Sequence, residues 1–130
     1  MSGKQIFNIF LWVLQGLLAV LFLSAGAMKL FQPVAQQAAM YPWTGEVPRL
    51  LLTIMGLVDL LGGIGIILPA ILKIKPWLTV WAAAGIVLLM LSAIVFHISR
   101  HEAQVTGFNI TVALLAGIVA WGRRKRPLQS

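Results

Sequence analysis

Residues 56–69 read Gly56-Leu57-Val58-Asp59-Leu60-Leu61-Gly62-Gly63-Ile64-Gly65-Ile66-Ile67-Leu68-Pro69. Asp59 is the only charged residue between Arg49 and Lys73, and that distance is long enough for one helix to cross a lipid bilayer. A carboxylate halfway across a membrane is costly unless it is paired, protonated or hydrated. We therefore predict that Asp59 faces the interior of a helix bundle and does not face lipid.

The glycines around Asp59 support this orientation. Gly56, Gly62 and Gly63 lie three residues before, three after and four after the acid, so on a helix they share its face. Small residues on a membrane helix allow a second helix to approach closely. The face that carries Asp59 is therefore predicted to be a helix–helix contact.

The composition of the whole chain fits a protein that is surrounded by lipid. Of 130 residues, 60% are hydrophobic and only 10% are charged, whereas soluble domains carry about 25% charged residues. The net charge is +7, but four of the ten basic residues form the cluster Arg123-Arg124-Lys125-Arg126 directly after an apolar run. Such a cluster is typical of a juxtamembrane segment, so we expect no nucleic-acid partner. The absence of cysteine excludes thiol chemistry and iron–sulfur ligation by this chain.

Four windows of 20 to 24 residues carry no charge except Asp59. Because lipid offers no hydrogen bonds to the backbone, such windows are expected to be helical. The sequence predicts an all-α integral membrane four-helix bundle, a single domain over residues 1–130. The predicted transmembrane helices are, approximately, 6–28, 50–68, 77–98 and 106–122. Pro33 is expected to begin a short helix in the first connection, because proline suits a first helical turn.

The basic residues also predict the orientation of the bundle. Four crossings bring both termini and the second connection to one side, which then carries seven basic residues. The opposite side carries three, Lys29, Arg49 and Arg100. Since basic residues favour the cytoplasmic side, both termini are predicted to be cytoplasmic.

The candidate ligand-binding residues are Lys29, Asp59, His97 and Asn109. Lys29, His97 and Asn109 are predicted near the external ends of three helices, above Asp59. Counting from the window ends puts Lys29 ~15 Å along the axis from Asp59 at ~1.5 Å per residue, so their direct contact is not required. The same count puts Gln15 level with Asp59, and we expect a structural hydrogen bond between them.

Each candidate also has a simpler interpretation. Asp59 could serve only as a structural lock, and Lys29 as an anchor whose side chain extends to the lipid headgroups. His97 is better explained as a helix-end residue than as a metal ligand, because the chain has no HExxH or similar histidine spacing. No metal site is predicted, and no catalytic residue can be named.

The end of the first helix, Ser24-Ala25-Gly26-Ala27-Met28-Lys29-Leu30, is followed by a long loop and a glycine-rich helix with an acid and a terminal Leu68-Pro69. Together these features resemble the DoxX-like family of small four-helix bacterial membrane proteins. The resemblance implies a multi-pass protein of the bacterial inner membrane. The family takes its name from a subunit associated with a quinol oxidase, which implies a quinone or another lipid-soluble ligand as the cofactor. Many relatives carry glutamate where this chain has Asp59.

Three functions are compatible with these residues. The leading one is an accessory or ligand-binding membrane subunit linked to quinone or redox metabolism. Lys29 would then bind an anion or a ring oxygen, His97 would exchange a proton and Asp59 would position the site. The alternatives are a small transporter or proton-conducting protein that uses Asp59, and a membrane-embedded enzyme that uses the same cluster. The expected partners are the lipid bilayer and either another membrane protein or a second copy of the chain.

Overall fold

The computed structural model describes residues 2–75, 77–102, 104 and 106–125 of the chain. These ranges are almost entirely helical and contain no β-strand. The helices are α1 (Gly3–Phe31), α2 (Val34–Met40), α3 (Arg49–Leu72), α4 (Trp77–Ser99) and α5 (Thr106–Lys125), with a short 3₁₀ helix at Pro42–Gly45 between α2 and α3. The prediction of an all-α fold is confirmed.

The first helix begins earlier than the hydropathy indicates, because polar residues cap it. The Ser2 hydroxyl accepts a hydrogen bond from the Gln5 backbone N–H at 3.1 Å, and the Gln5 side chain accepts one from the Ser2 backbone N–H at 2.8 Å. This reciprocal pair satisfies backbone donors that a helix start leaves free. At its other end α1 continues to Phe31, so it includes Lys29 as a helical residue.

The third helix passes through Pro69, which was predicted to end it, and continues to Leu72. Proline lacks an N–H, so only the hydrogen bond to the Gly65 carbonyl is lost, and membrane helices tolerate this locally. The next residue, Lys73, caps the helix in a left-handed conformation with a φ of 55°. The Ile74 N–H then closes back onto the Pro69 carbonyl at 3.0 Å, which is a typical helix-ending arrangement.

The four long helices form a closed ring in the order α1, α3, α4 and α5, in which neighbouring helices are antiparallel and pack against each other. Their shared core is apolar and includes Leu18, Phe22, Ile66, Ile86 and Ala116. All four are long and apolar enough to cross a membrane, while large apolar side chains cover the outside of the bundle. The chain is therefore a multi-pass membrane protein built as a four-helix bundle.

The two ends of this bundle differ. We call the end that holds α2, the 3₁₀ helix and the α4–α5 turn the loop end. The opposite end holds the start of α1, the α3–α4 turn and the last residues of α5, and we call it the termini end. The short helix α2 follows Pro33, as predicted, and lies at the loop end.

Candidate functional site

Two glycines set the contact between α1 and α3. A Cβ atom built on Gly26 would lie only 2.8 Å from the Gly56 carbonyl oxygen, and one built on Gly56 would lie 3.2 Å from the Gly26 carbonyl oxygen. The backbones therefore approach so closely that only glycine fits without a shift at Gly26. Gly63 repeats this contact two turns along α3, against Leu23. The glycine-rich face of α3 is a helix–helix contact, as its spacing indicated.

This close approach brings Lys29 onto Asp59. The Lys29 Nζ atom donates a hydrogen bond to Asp59 Oδ2 at 2.6 Å, and the two side chains are only 11% and 6% exposed. Asp59 is buried in the bundle and is paired with a cation, which resolves the cost of an acid in a membrane helix. The interpretation of Lys29 as a headgroup anchor does not describe this geometry.

The contact of Lys29 with Asp59 is closer than counting from the window ends allowed. The Cβ of Lys29 packs beside Gly56, which lies one helical turn from Asp59. In an antiparallel pair, this register leaves the acid and the base about three residues apart in depth, or ~4.5 Å at 1.5 Å per residue. The earlier distance of ~15 Å was wrong because the glycine contacts, and not the ends of the apolar windows, set the register.

Gln15 forms different contacts from the one expected with Asp59. Its amide nitrogen donates to the Ile66 carbonyl at 2.8 Å, and its amide oxygen accepts from Arg123 Nε at 2.6 Å. Gln15 therefore lies nearly two helical turns closer to the termini end than Asp59 does. Its role as a structural polar contact stands, but its partners link α1 to α3 and α5 at another depth.

Arg123 is the polar residue that the sequence placed least well. It was assigned to a basic juxtamembrane cluster, yet only 2% of it is exposed. It donates to Gln15 and, through Nη1, to Asn8 Oδ1 at 2.6 Å, while its guanidinium lies 5.4 Å from the centre of the Trp12 ring. The sequence does contain a signal for the burial of Arg123. The residue continues, at helical spacing, the buried face of α5 that is formed by Asn109, Val112, Ala116 and Val119.

Asn109 lies on the first turns of α5 and is buried. The close contact of Gly122 with Leu11 sets the register of α1 against α5. Because these helices are antiparallel, residue 109 is then opposite residue 24, ~8 Å along the axis from Lys29 and in the same half of the bundle. The Asn109 side chain forms no hydrogen bond with any residue in the described parts of the chain. Asn109 therefore contributes a polar side chain to the interior of the bundle without a hydrogen-bond partner among the described residues.

His97 belongs to a separate network at the loop end. Its Nδ1 atom lies 3.2 Å from Glu102 Oε1, which also accepts a hydrogen bond from Arg100 Nε at 2.9 Å. Arg100 also pairs with Glu46, so it joins the α4–α5 turn to the loop that follows the 3₁₀ helix. Trp43 packs edge-on against both Phe96 and His97, at ring distances of 5.8 and 6.3 Å.

These hydrogen bonds shift two pKa values outside the membrane-spanning helices. The bonds that Glu102 receives from His97 and then from Arg100 lower the pKa of its carboxyl group. The bonds from Arg100 to Glu46 and Glu102 raise the pKa of the guanidinium group. Arg100 and Glu102 are therefore charged at neutral pH, and their contacts link the α4–α5 turn to the loop that follows the 3₁₀ helix.

Comparison with known proteins identifies the family. The sequence model of the DoxX-like family matches residues 13–119, which is most of the chain. The chain belongs to the DoxX-like family. The match covers all four long helices in whole or in part, including Lys29, Asp59, His97 and Asn109. No curated protein and no solved structure matches the chain.

Membership of the DoxX-like family confirms the resemblance seen in the sequence and agrees with the membrane bundle. The match also begins before Gln15 and ends before Arg123, so it includes only one side of that hydrogen bond. What the family match adds is a fold and a setting. The chemistry of the site depends on the Lys29–Asp59 pair and the groups around it.

Proposed function

We propose that this DoxX-like protein is a non-catalytic, ligand-binding membrane subunit whose site is the Lys29–Asp59 pair together with Asn109. The observation that carries the proposal is the 2.6 Å ion pair buried between α1 and α3. Replacing a buried ion pair by well-packed apolar residues is often neutral or stabilising, so packing alone gives little reason to retain one. A ligand that uses the charged groups supplies a reason.

The unused hydrogen-bonding capacity indicates what the ligand would offer. An ammonium group has three N–H donors, and Lys29 uses one of them, on Asp59, among the described residues. Asn109 adds an amide whose donors and acceptor have no partner in the described parts of the chain. A lipid-soluble molecule with carbonyl oxygens, such as a quinone, would accept hydrogen bonds from both residues. Asp59 would hold the Lys29 ammonium in position.

A proton path through Asp59 is less well supported. The carboxylate is closed in an ion pair, and the sequence has no other acid between Glu46 and Glu102 to continue a relay. His97, which was expected beside Lys29, pairs instead with Glu102. Binding by a fixed donor set therefore accounts for more of the geometry than proton transfer does.

The family and the distribution of charge support a location for this subunit. We place it in the bacterial cytoplasmic membrane, with both termini on the cytoplasmic side. The termini end would then face the cytoplasm, because it carries the greater number of basic residues. The Lys29–Asp59 pair would lie in the outer half of the bilayer.

The test is a titration of the purified protein in detergent with a short-chain benzoquinone, followed by equilibrium dialysis. Asn109→Leu removes one hydrogen-bonding group, so we expect binding to weaken about threefold to tenfold, the loss typical of one neutral hydrogen bond. The double variant Lys29→Met/Asp59→Leu removes the pair without leaving a charge buried, and we expect it to abolish binding.

The matched control is Thr111→Val. Thr111 lies on the same helix as Asn109 but is exposed, and its hydroxyl donates a hydrogen bond to the Gly107 carbonyl of that helix. Its affinity should equal that of the wild type. If the wild type binds the quinone no better than the Lys29→Met/Asp59→Leu variant does, the pair is not a quinone site.

A further inference from the structure

The positive and negative charges of this chain are separated along the bundle. Its three acids, Glu46, Asp59 and Glu102, all lie in the half near the loop end, where each pairs with a basic residue. The termini end has no acid. It carries Lys4, the two lysines of the α3–α4 turn and the basic end of α5. That excess positive charge has no counterpart within the chain.

Part of this charge lies on an aromatic cluster at the seam between α1 and α5. Phe7 packs against Phe10 at a ring distance of 6.4 Å and edge-on against Trp121 at 5.9 Å. The Lys125 ammonium group lies 5.3 Å from the centre of the Trp121 ring. Phe10 and Trp121 are 45% and 56% exposed, so the cluster lies on the outer surface of the bundle. We call these four residues the α1–α5 seam.

The buried Arg123 adds to the positive potential of the α1–α5 seam. Among the described residues it donates to no carboxylate, and its hydrogen bonds go to neutral oxygens of Gln15 and Asn8. A charge held in a poorly polarisable interior is screened less than one in water, so it acts on groups beyond its own contacts. Neighbouring Arg124 is exposed and can meet a ligand directly.

We propose that the α1–α5 seam, together with the adjacent Arg124, binds the headgroup of an anionic phospholipid. Arg124 and Lys125 would contact the phosphate, and the exposed faces of Phe10 and Trp121 would contact the upper acyl chain. Tryptophan and basic side chains together are typical of the headgroup region, and basic clusters between membrane helices bind anionic headgroups. This inference is independent of the Lys29–Asp59 site, which lies in the half of the bundle near the loop end.

The test is native mass spectrometry of the purified chain after addition of phosphatidylglycerol or, separately, phosphatidylcholine. The wild type should retain phosphatidylglycerol and should retain phosphatidylcholine much less. In the double variant Arg124→Gln/Lys125→Gln, we expect the affinity for phosphatidylglycerol to fall about thirtyfold, given what two basic residues contribute at a charged membrane surface. Trp121→Leu, which leaves all charges in place, should lower it by a smaller factor.

The matched control is Lys73→Gln/Lys75→Gln, which removes the same charge from the same end of the bundle. Lys75 also lies over a tryptophan, at 5.9 Å from the Trp77 ring, but it is on the α3–α4 turn and away from the α1–α5 seam. The control variant should retain phosphatidylglycerol nearly as well as the wild type does. An equal fall in the control, or equal retention of the two lipids by the wild type, would overturn the proposal. The second outcome would favour an acidic protein surface as the counterpart of this charge.

Discussion

At the scale of single residues, the Lys29–Asp59 pair decides how the bundle tolerates charge. Removing one member of a buried ion pair leaves the other uncompensated, and typically costs about 3–5 kcal/mol. We expect Asp59→Leu to destabilise the protein by about that amount, measured by thermal unfolding in detergent. Lys29→Met should be similarly harmful, because it leaves the carboxylate of Asp59 without its cation.

The double variant Lys29→Met/Asp59→Leu separates this explanation from simple loss of packing. With both charges removed, no group is left unpaired, so most of the stability should return. If the double variant loses as much stability as the sum of the two single variants, the pair contributes nothing as a pair. The bundle would then tolerate the two charges independently.

Glu102 gives the loop end a dependence on pH. His97 and Arg100 lower the pKa of its carboxyl group, so the folded state binds a proton less readily than the unfolded state does. The stability that follows is present above ~4.3, the ordinary pKa of glutamic acid, and is lost as the pH falls through the lower pKa of the folded state. We expect the wild type to have a higher melting temperature than Glu102→Gln at pH 7, and we expect this difference to shrink under acidic conditions.

The control for this comparison is Gln104→Ala, an exposed change in the same turn that removes no titrating group. The melting difference between the wild type and this variant should not vary with pH. If the difference in melting temperature between the wild type and Glu102→Gln also does not vary with pH, the charge of Glu102 does not contribute to stability.

At the scale of elements, the register of α1 on α3 rests on the glycine contacts. A methyl group on Gly26 would lie 2.8 Å from the Gly56 carbonyl oxygen, so Gly26→Ala should force the helices apart. Overpacking of this kind costs about 1–3 kcal/mol. Gly16→Ala on the same helix meets nothing within 4 Å and is expected to be neutral or slightly stabilising. Equal melting temperatures for the two variants would mean that α1 and α3 separate without cost.

The four long helices of this protein could be predicted from the sequence because each is an apolar window with no charged residue except Asp59. Their ends could not, since the Ser2–Gln5 cap and the continuation through Pro69 depend on local backbone bonding that hydropathy does not report. The facing of Asp59 toward a glycine-lined helix contact was also predictable, from helical spacing alone. The pairing of Asp59 with Lys29 could not be predicted, because the relative depth of two helices depends on their close contacts.

The site was predicted unevenly for the same reason. Lys29, Asp59 and Asn109, the residues of the proposed site, lie in the same half of the bundle, but the contact of Lys29 with Asp59 emerges only once the α1–α3 register is fixed. His97 lies in the same half of the bundle, yet its Nδ1 atom contacts Glu102 on the following turn and not Lys29. Arg123 was grouped with its basic neighbours along the chain, although its position on the buried face of α5 is what determines its contacts.

At the scale of the whole molecule, the unequal charge of the two ends bears on how the bundle lies in the membrane. The described ends of the chain, Ser2 and Lys125, lie together at the termini end with the α3–α4 turn. Seven basic residues of the sequence belong to that end and its tail, against Lys29, Arg49 and Arg100 toward the other. Positively charged segments are retained on the cytoplasmic side during insertion, so this excess predicts a cytoplasmic termini end.

Reporter fusions test this orientation directly. A reporter that is active only in the periplasm should stay silent when it is fused after Ser130 or after Lys75. The same reporter fused after Glu46, at the loop end, should be active, which provides the control for expression and folding of the fusion. The opposite pattern would invert the bundle and place the Lys29–Asp59 pair in the cytoplasmic half of the bilayer. The α1–α5 seam would then face the external leaflet, and its lipid would have to come from that side.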